Sequence, residues 1–183
     1  MKILVTGGAG YIGLHTCIEL IKAGYEVVVV DNLCNSSLEV LKRVEKLSDS
    51  NIPLCKIDVR DKKSLARVFE QYSIDGVIHF AGLKAVVESI EKPIEYYNTN
   101  VGGTIILSDV MREFGCKTFV FSSSAAVYGN PHTVPIEENF PFISVVEYGA
   151  QEHIGIIINQ DAQVTSMYNY DKIKTDVERN TAN

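Results

Sequence analysis

Gly7, Gly10 and Gly13 fall three residues apart, directly after the apolar run Lys2-Ile3-Leu4-Val5-Thr6. That is the spacing of a strand-to-helix turn in which the backbone takes unusual dihedrals and comes close to a pyrophosphate. A helix opening at Tyr11 would aim its free N–H groups and positive dipole end at the same point, which therefore favours an anion. Asp31 stands eighteen positions after Gly13, at the tip of a second apolar run. A carboxylate there is placed to accept both ribose hydroxyls of an adenosine and to repel a 2′-phosphate. Together these residues predict a dinucleotide site that takes NAD in preference to NADP.

A glycine triplet alone joins many strands to helices with no ligand, so its setting carries the argument. Residues 11 to 23 place Ile12, Cys17, Leu20 and Ile21 at helical spacing, Gly24 offers a C-terminal stop, and residues 25 to 30 form a second strand. The polar segment Asn32-Leu33-Cys34-Asn35-Ser36-Ser37 continues from Asp31. It reads either as a plain connection, with Ser36 or Ser37 capping a helix from 38 to 47, or as an edge of the adenosine site. A third strand is expected over 52–59, closing at Asp58, whose carboxylate could accept from an adenine amine or help cap the helix that follows. An amphipathic helix over 61–72 buries Leu65, Val68 and Phe69, and a fourth strand, 76–80, leads into Ala81-Gly82-Leu83-Lys84, where small residues let the backbone pass beside a flat ligand. His79, inside that apolar strand, is expected to be a hydrogen-bonded core histidine and not a catalyst. The longest helical stretch runs over 93–115, and a fifth strand covers 117–122.

Strand and helix alternating five times specify an α/β fold, a doubly wound parallel sheet of the Rossmann type with helices on both faces. Ligands of such sheets sit beyond the carboxyl ends of the strands. The glycine turn, Asp31, Asp58, the segment 81–84 and the serines 122–124 all fall there, so a single cleft is implied. At 183 residues with net charge −6 and no basic cluster, the chain suits one buried domain and argues against nucleic acid or an anionic membrane as a partner. No apolar run reaches membrane-spanning length, and the N-terminus enters a strand at once without a signal-peptide pattern. Cys17, Cys34, Cys55 and Cys116 are scattered. They suggest no metal site, and read as free thiols in a reducing cytoplasm.

Taken together, TGGAGYIG at 6–13, DNLCNS at 31–36, HFAGLKAVVES at 79–89, KPIEYYNTNVGGT at 92–104 and FSSSAAVYG at 121–129 resemble the extended short-chain dehydrogenase/reductase family, and within it the UDP-glucose (UDP-galactose) 4-epimerases. The match is dense to about residue 142. A related sugar-nucleotide dehydratase would carry Thr-Asp-Glu where this chain has Ser122-Ser123-Ser124. The resemblance implies tightly held NAD and a UDP-hexose substrate, with a tyrosine phenolate taking the proton of the hexose 4-hydroxyl while hydride passes to the nicotinamide and later returns to the other face. It assigns cofactor binding to Gly7, Gly10, Tyr11, Ile12, Gly13, Asp31, Asn32, Cys34, Asn35, Ser36, Asp58, Val59, Phe80, Ala81, Gly82, Lys84, Asn100 and Ser122. Ser124 becomes the hydroxyl bridging base and substrate, and Tyr148, followed by Gly149, fits the catalytic tyrosine.

Departures from the family pattern are informative. The lysine expected four residues after the tyrosine is Glu152, and a carboxylate there raises a phenol's pKa where an ammonium would lower it. A second Tyr-x-x-x-Lys exists at Tyr170 and Lys174, and stays open as a relocated pair. Thr99 stands where an asparagine is usual, and Ala126 where a threonine faces the sugar. Residues 145 to 183 do not follow the family. The expected organisation is a nucleotide-binding domain over 1–144 and a divergent tail over 145–183 of unassigned structure, with the C-terminal substrate domain missing and a sheet edge left open. Whether the chain forms a homodimer stays open.

Overall fold

The computed structural model describes residues 1–48, 50–137, 139–141 and 165–166. Five parallel strands alternate with helices in the predicted order: β1 (Lys2–Thr6), α1 (Tyr11–Lys22), β2 (Glu26–Asp31), α2 (Leu38–Ser48), β3 (Leu54–Lys56), α3 (Lys62–Tyr72), β4 (Gly76–His79) and β5 (Thr118–Phe121). The strands lie in the order β3-β2-β1-β4-β5. The chain reverses its direction of winding between β1 and β4, which opens a crevice at their carboxyl ends. In register, Thr6 lies beside Val30 of β2 and His79 of β4.

The alternating side chains of the strands divide the core in two. Ile3, Val5, Val27 and Val29 face α1 and α2, with Cys17, Leu41 and Val44 packed on them. Leu4, Val28, Val30, Val77, Phe119 and Phe121 face the opposite way, where Leu65, Val68 and Phe69 of α3 meet Leu107, Val110 and Met111 of α6 (Gly103–Glu113). This period of two, apolar on both sides, is what a sheet covered on both faces demands. Outside the core, Lys62 Nζ ties α3 to α6 by bonding Asp109 and Glu113.

Several boundaries differ from the sequence reading. β3 holds only residues 54–56: Pro53 has no N–H to donate and offers only its carbonyl, to Val29 N, while Ile52 N is taken by the Glu45 side chain. Ser36, one of the two candidate caps of α2, donates its hydroxyl proton to Asp31. The helical stretch from Pro93 is interrupted: α5 (Pro93–Tyr96) passes through a wider π-helical turn, Tyr97–Gly102, before α6, and Gly115 closes it at φ 68°. A short helix that the sequence reading left unassigned, α4 (Val86–Glu91), precedes it. The edge of β5 is not wholly open either. A two-residue strand β6 (Thr165–Ser166), from the segment expected to be unpatterned, pairs parallel with Val120 and Phe121.

Candidate functional site

A cleft of about 490 Å³ lies at the carboxyl ends of β1, β2 and β4, within the range of small-molecule sites. Its floor is the turn after β1. Gly7 takes φ 69°, and a Cβ there would meet Ala81 N at 2.7 Å. A Cβ on Gly13 would lie 2.4 Å from the Gly7 carbonyl. Both positions therefore exclude any side chain, and the main chain itself forms the surface offered to a ligand. Gly10, the residue before α1, supplies no side-chain cap, so the amides of Tyr11, Ile12 and Gly13 are left for an anion.

Asp31 forms the next wall, and it is 9 % exposed. Oδ1 accepts from Leu33 N at 2.8 Å and Ser36 Oγ at 2.9 Å, and Oδ2 accepts from Ala9 N at 3.1 Å. Leu33 sits in the left-handed region at φ 61°, which wraps residues 32–36 around the carboxylate. A carboxylate has about four acceptor positions. Three being filled, one on Oδ2 remains for a ribose hydroxyl, and Ser36 Oγ would have to turn away for a second to bind directly.

Asn32, Cys34, Asn35, Ser36, Asp58 and Val59 continue the lining. The geometry gives Asp58 another occupation. Its two oxygens receive Arg60 N at 2.9 Å, Arg60 Nε at 2.8 Å, Arg60 Nη2 at 2.7 Å and Asn32 Nδ2 at 3.1 Å. The bond to the Arg60 side chain is the main reason its carboxyl lies far below the usual carboxylate range. An adenine amine would have to displace one of these donors. Capping of α3 falls to Asp61, which accepts from Ser64 N and Ser64 Oγ.

The far wall is Phe80, Ala81, Gly82 and Lys84, with an adjoining recess formed by His79, Asn100, Phe121 and Ser122. His79 is 2 % exposed and hydrogen-bonded on both nitrogens, to Thr6 Oγ1 at 2.5 Å and Thr104 Oγ1 at 3.1 Å, as expected of a core histidine. Thr104 commits its single hydroxyl proton to the Asn100 carbonyl at 2.6 Å, so it can only accept from the ring. The ring therefore carries its proton on Nε2 and accepts from Thr6 at Nδ1. Burial first, and the charge of Lys84 second, push its pKa down to about 3.

Ser124 lies two residues past Ser122, with its hydroxyl buried and without a hydrogen-bond partner among the described residues. Tyr148, Glu152, Tyr170 and Lys174 fall outside the described residues. Residues 145–183 do so too, apart from β6. Leu83, Ala85, Glu88, Tyr96 and Thr99 also line the cleft and were not among the predicted site residues. Leu83 lay within the segment expected to flank a flat ligand, and Thr99 was marked as a departure from the family pattern; the other three stood only inside the quoted motifs. Asn100 serves a neighbouring need: its amide bonds Leu83 N at 2.8 Å and Leu83 O at 3.0 Å.

A family model described as GDP-mannose 4,6 dehydratase matches residues 4–164. The chain belongs to the extended short-chain dehydrogenase/reductase family. Among relatives in it, UDP-glucose 4-epimerase of Dictyostelium discoideum is 55 % identical over 148 residues, which are 81 % of this chain and 43 % of that protein. The epimerase of Bacillus subtilis is 52 % identical over 149 residues, 81 % of this chain and 44 % of its own length. Among solved structures, UDP-glucose 4-epimerase from Bifidobacterium longum, in complex with NAD+ and UDP, superimposes with a TM-score of 0.88 at 44 % identity, covering 91 % of this chain and 52 % of that one. The chain thus spans about half the length of the relatives it matches. Within the extended short-chain dehydrogenase/reductase family its similarity is to the N-terminal part of the epimerases.

Proposed function

We propose that this chain holds NAD in the cleft and is the cofactor half of a UDP-glucose 4-epimerase-type catalyst. The observation that carries the reading is the buried Asp31 carboxylate, fixed by three donors at the end of β2 beside a turn that excludes side chains at Gly7 and Gly13. Residues 1–144 act as the nucleotide-binding domain. Tyr11, Ile12 and Gly13 would meet the pyrophosphate through their amides, Asp31 with Ser36 the adenosine ribose, and residues 80–84 the nicotinamide side. Asn32, Cys34, Asn35, Asp58 and Val59 would edge the adenosine, and Asn100 and Ser122 belong to the nicotinamide end. The bound cofactor would supply a hydride acceptor for a UDP-hexose.

The chain's own contribution to proton transfer rests on Ser124 and Tyr148. Ser124 offers a buried hydroxyl that is unpartnered among the described residues. The sequence has Glu152, four residues after Tyr148, where the family pattern has the lysine whose charge would favour an ionised phenol, and an unassisted tyrosine, with a pKa of about 10, is a poor base near neutrality. We therefore assign to these 183 residues on their own NAD binding with little turnover. The free thiols of Cys17, Cys34, Cys55 and Cys116 fit a cytoplasmic setting. Calorimetry with NAD and NADP tests the first half, and equal affinity for both would overturn the role of Asp31. A coupled assay for UDP-glucose formation from UDP-galactose tests the second. Sustained turnover would refute the assignment of low activity and direct attention to Tyr170 and Lys174, through Tyr170→Phe.

A further inference from the structure

Residues 82–85 are irregular backbone and yet form a wall of the cleft, so something outside them must hold them. Two side chains of one helical stretch do so. The Asn100 amide grips both polar groups of Leu83. On the other side of Lys84, the Tyr96 hydroxyl accepts from Ala85 N at 3.2 Å. Tyr96 is 1 % exposed, and its hydroxyl donates to Glu88 Oε2 at 2.8 Å. Glu88 Oε1 in turn accepts from Lys92 Nζ at 2.9 Å.

The direction of these bonds is fixed by counting protons. A phenol has one O–H, and while Glu88 takes it, the oxygen's lone pairs are turned to the Ala85 amide. Lys92, hydrogen-bonded to Glu88, is the first cause that keeps its carboxyl ionised, and the Tyr96 hydroxyl is the second. Burial, the larger effect, and the bond to Glu88 keep the phenol protonated. Tyr96 and Asn100 stand four residues apart across the π-helical turn Tyr97–Gly102, so one widened turn presents both grips to the same loop.

We infer that Tyr96, oriented by Glu88, is a positioning residue that holds the loop carrying Lys84, part of the cleft wall, in place for the nicotinamide side of a bound dinucleotide. The inference rests on the reading of the cleft as a dinucleotide site. Tyr96 acts through Ala85 and Lys84, and its ring stays packed when only the hydroxyl is removed.

The experiment combines amide hydrogen exchange with a double-mutant cycle on NAD affinity. Tyr96→Phe should speed exchange at Ala85 about tenfold while leaving Leu83 slow, and should weaken NAD binding about 3- to 10-fold, the worth of one hydrogen bond. In a Lys84→Ala background the same change should cost less than about twofold, because its effect runs through the lysine. Glu88→Ala should reproduce the loss, and Glu88→Gln, whose carbonyl still accepts from the phenol, should largely restore it. That pair also decides the matter should Tyr96→Phe fail to fold. Equal cost in both backgrounds, or unchanged exchange at Ala85, would overturn the inference. Absence of NAD binding by the parent chain would refute the dinucleotide reading and the ligand named here, while exchange at Ala85 would still decide whether the grip exists.

Discussion

Acid should weaken this fold through His79 before its carboxylates titrate. The ring is held neutral between Thr6 and Thr104 at 2 % exposure, with its pKa pushed from 6.5 to about 3 by burial and by Lys84. In the unfolded chain the same ring takes a proton near its ordinary value. Because the folded pKa is the lower one, the unfolded state binds the extra proton between pH 6.5 and 3. Stability is therefore fully present above that window and falls as the pH drops through it, by about 1.4 kcal/mol per pH unit for one proton. From pH 6.5 to 4.5 the loss integrates to about 2–3 kcal/mol, a large share of the roughly 5–15 kcal/mol that holds a domain of this size. This interval lies above the titration of most carboxylates, including Asp58, which Arg60 holds ionised well below it. His79→Gln removes the titration and keeps an amide able to serve both threonines. Urea unfolding at pH 6.5, 5.5 and 4.5, followed by far-ultraviolet circular dichroism, should show the parent losing about 2–3 kcal/mol more than this variant. Parallel losses in the two proteins would refute the argument, because they would mean that His79 gains no proton on unfolding.

Gly13→Ala should reduce NAD affinity more than tenfold and destabilise the chain by about 1–3 kcal/mol, since the new Cβ meets main chain that cannot step aside; wild-type calorimetry and melting would contradict the close packing of the turn. Under iodoacetamide, Cys34, exposed at the cleft, should react first, and saturating NAD should slow it. Cys17, buried and with its thiol pushed up to about 12 by burial, should react only on unfolding. Peptide mass spectrometry reads both, and unchanged labelling of Cys34 with NAD present would separate it from the cofactor site.

What the sequence made legible was what local chemistry dictates. The run Lys2–Thr6 followed by three glycines has few structural solutions, and Asp31 at the end of the next strand completes a pattern whose geometry is nearly forced. His79 was readable because a polar ring in an apolar strand must find partners. Other features turn on which of several nearby partners a polar group takes, which composition and spacing leave undecided. α4 was missed because Val86-Val87-Glu88-Ser89-Ile90-Glu91 is short, rich in β-branched residues and weakly helical by itself. It is stabilised by Ser89 Oγ donating to the Val86 carbonyl and by the Glu88–Lys92 pair. The π-helical turn leaves no mark in composition. Ser36 had two readings in sequence, and a buried carboxylate within reach took its proton; Asp58 was similarly taken by Arg60 only two residues away. In each case a charge needing partners outweighed a local preference.

The unequal division of the core between the two faces of the sheet has a consequence for the order in which the molecule is made. Among the described residues, the face under α1 and α2 draws every buried member except Phe80 from residues 3–52. The opposite face needs Leu107, Phe119 and Phe121 to meet Leu4, across more than half the chain. Short loops close at less entropic cost than long ones, and a nascent chain emerges N-terminus first. On the ribosome, Asp31 and the glycine turn can therefore assemble while Lys84 and its supports have yet to be translated. The part of the cleft beside β1 and β2 is then the template on which the part beside β4 is later built.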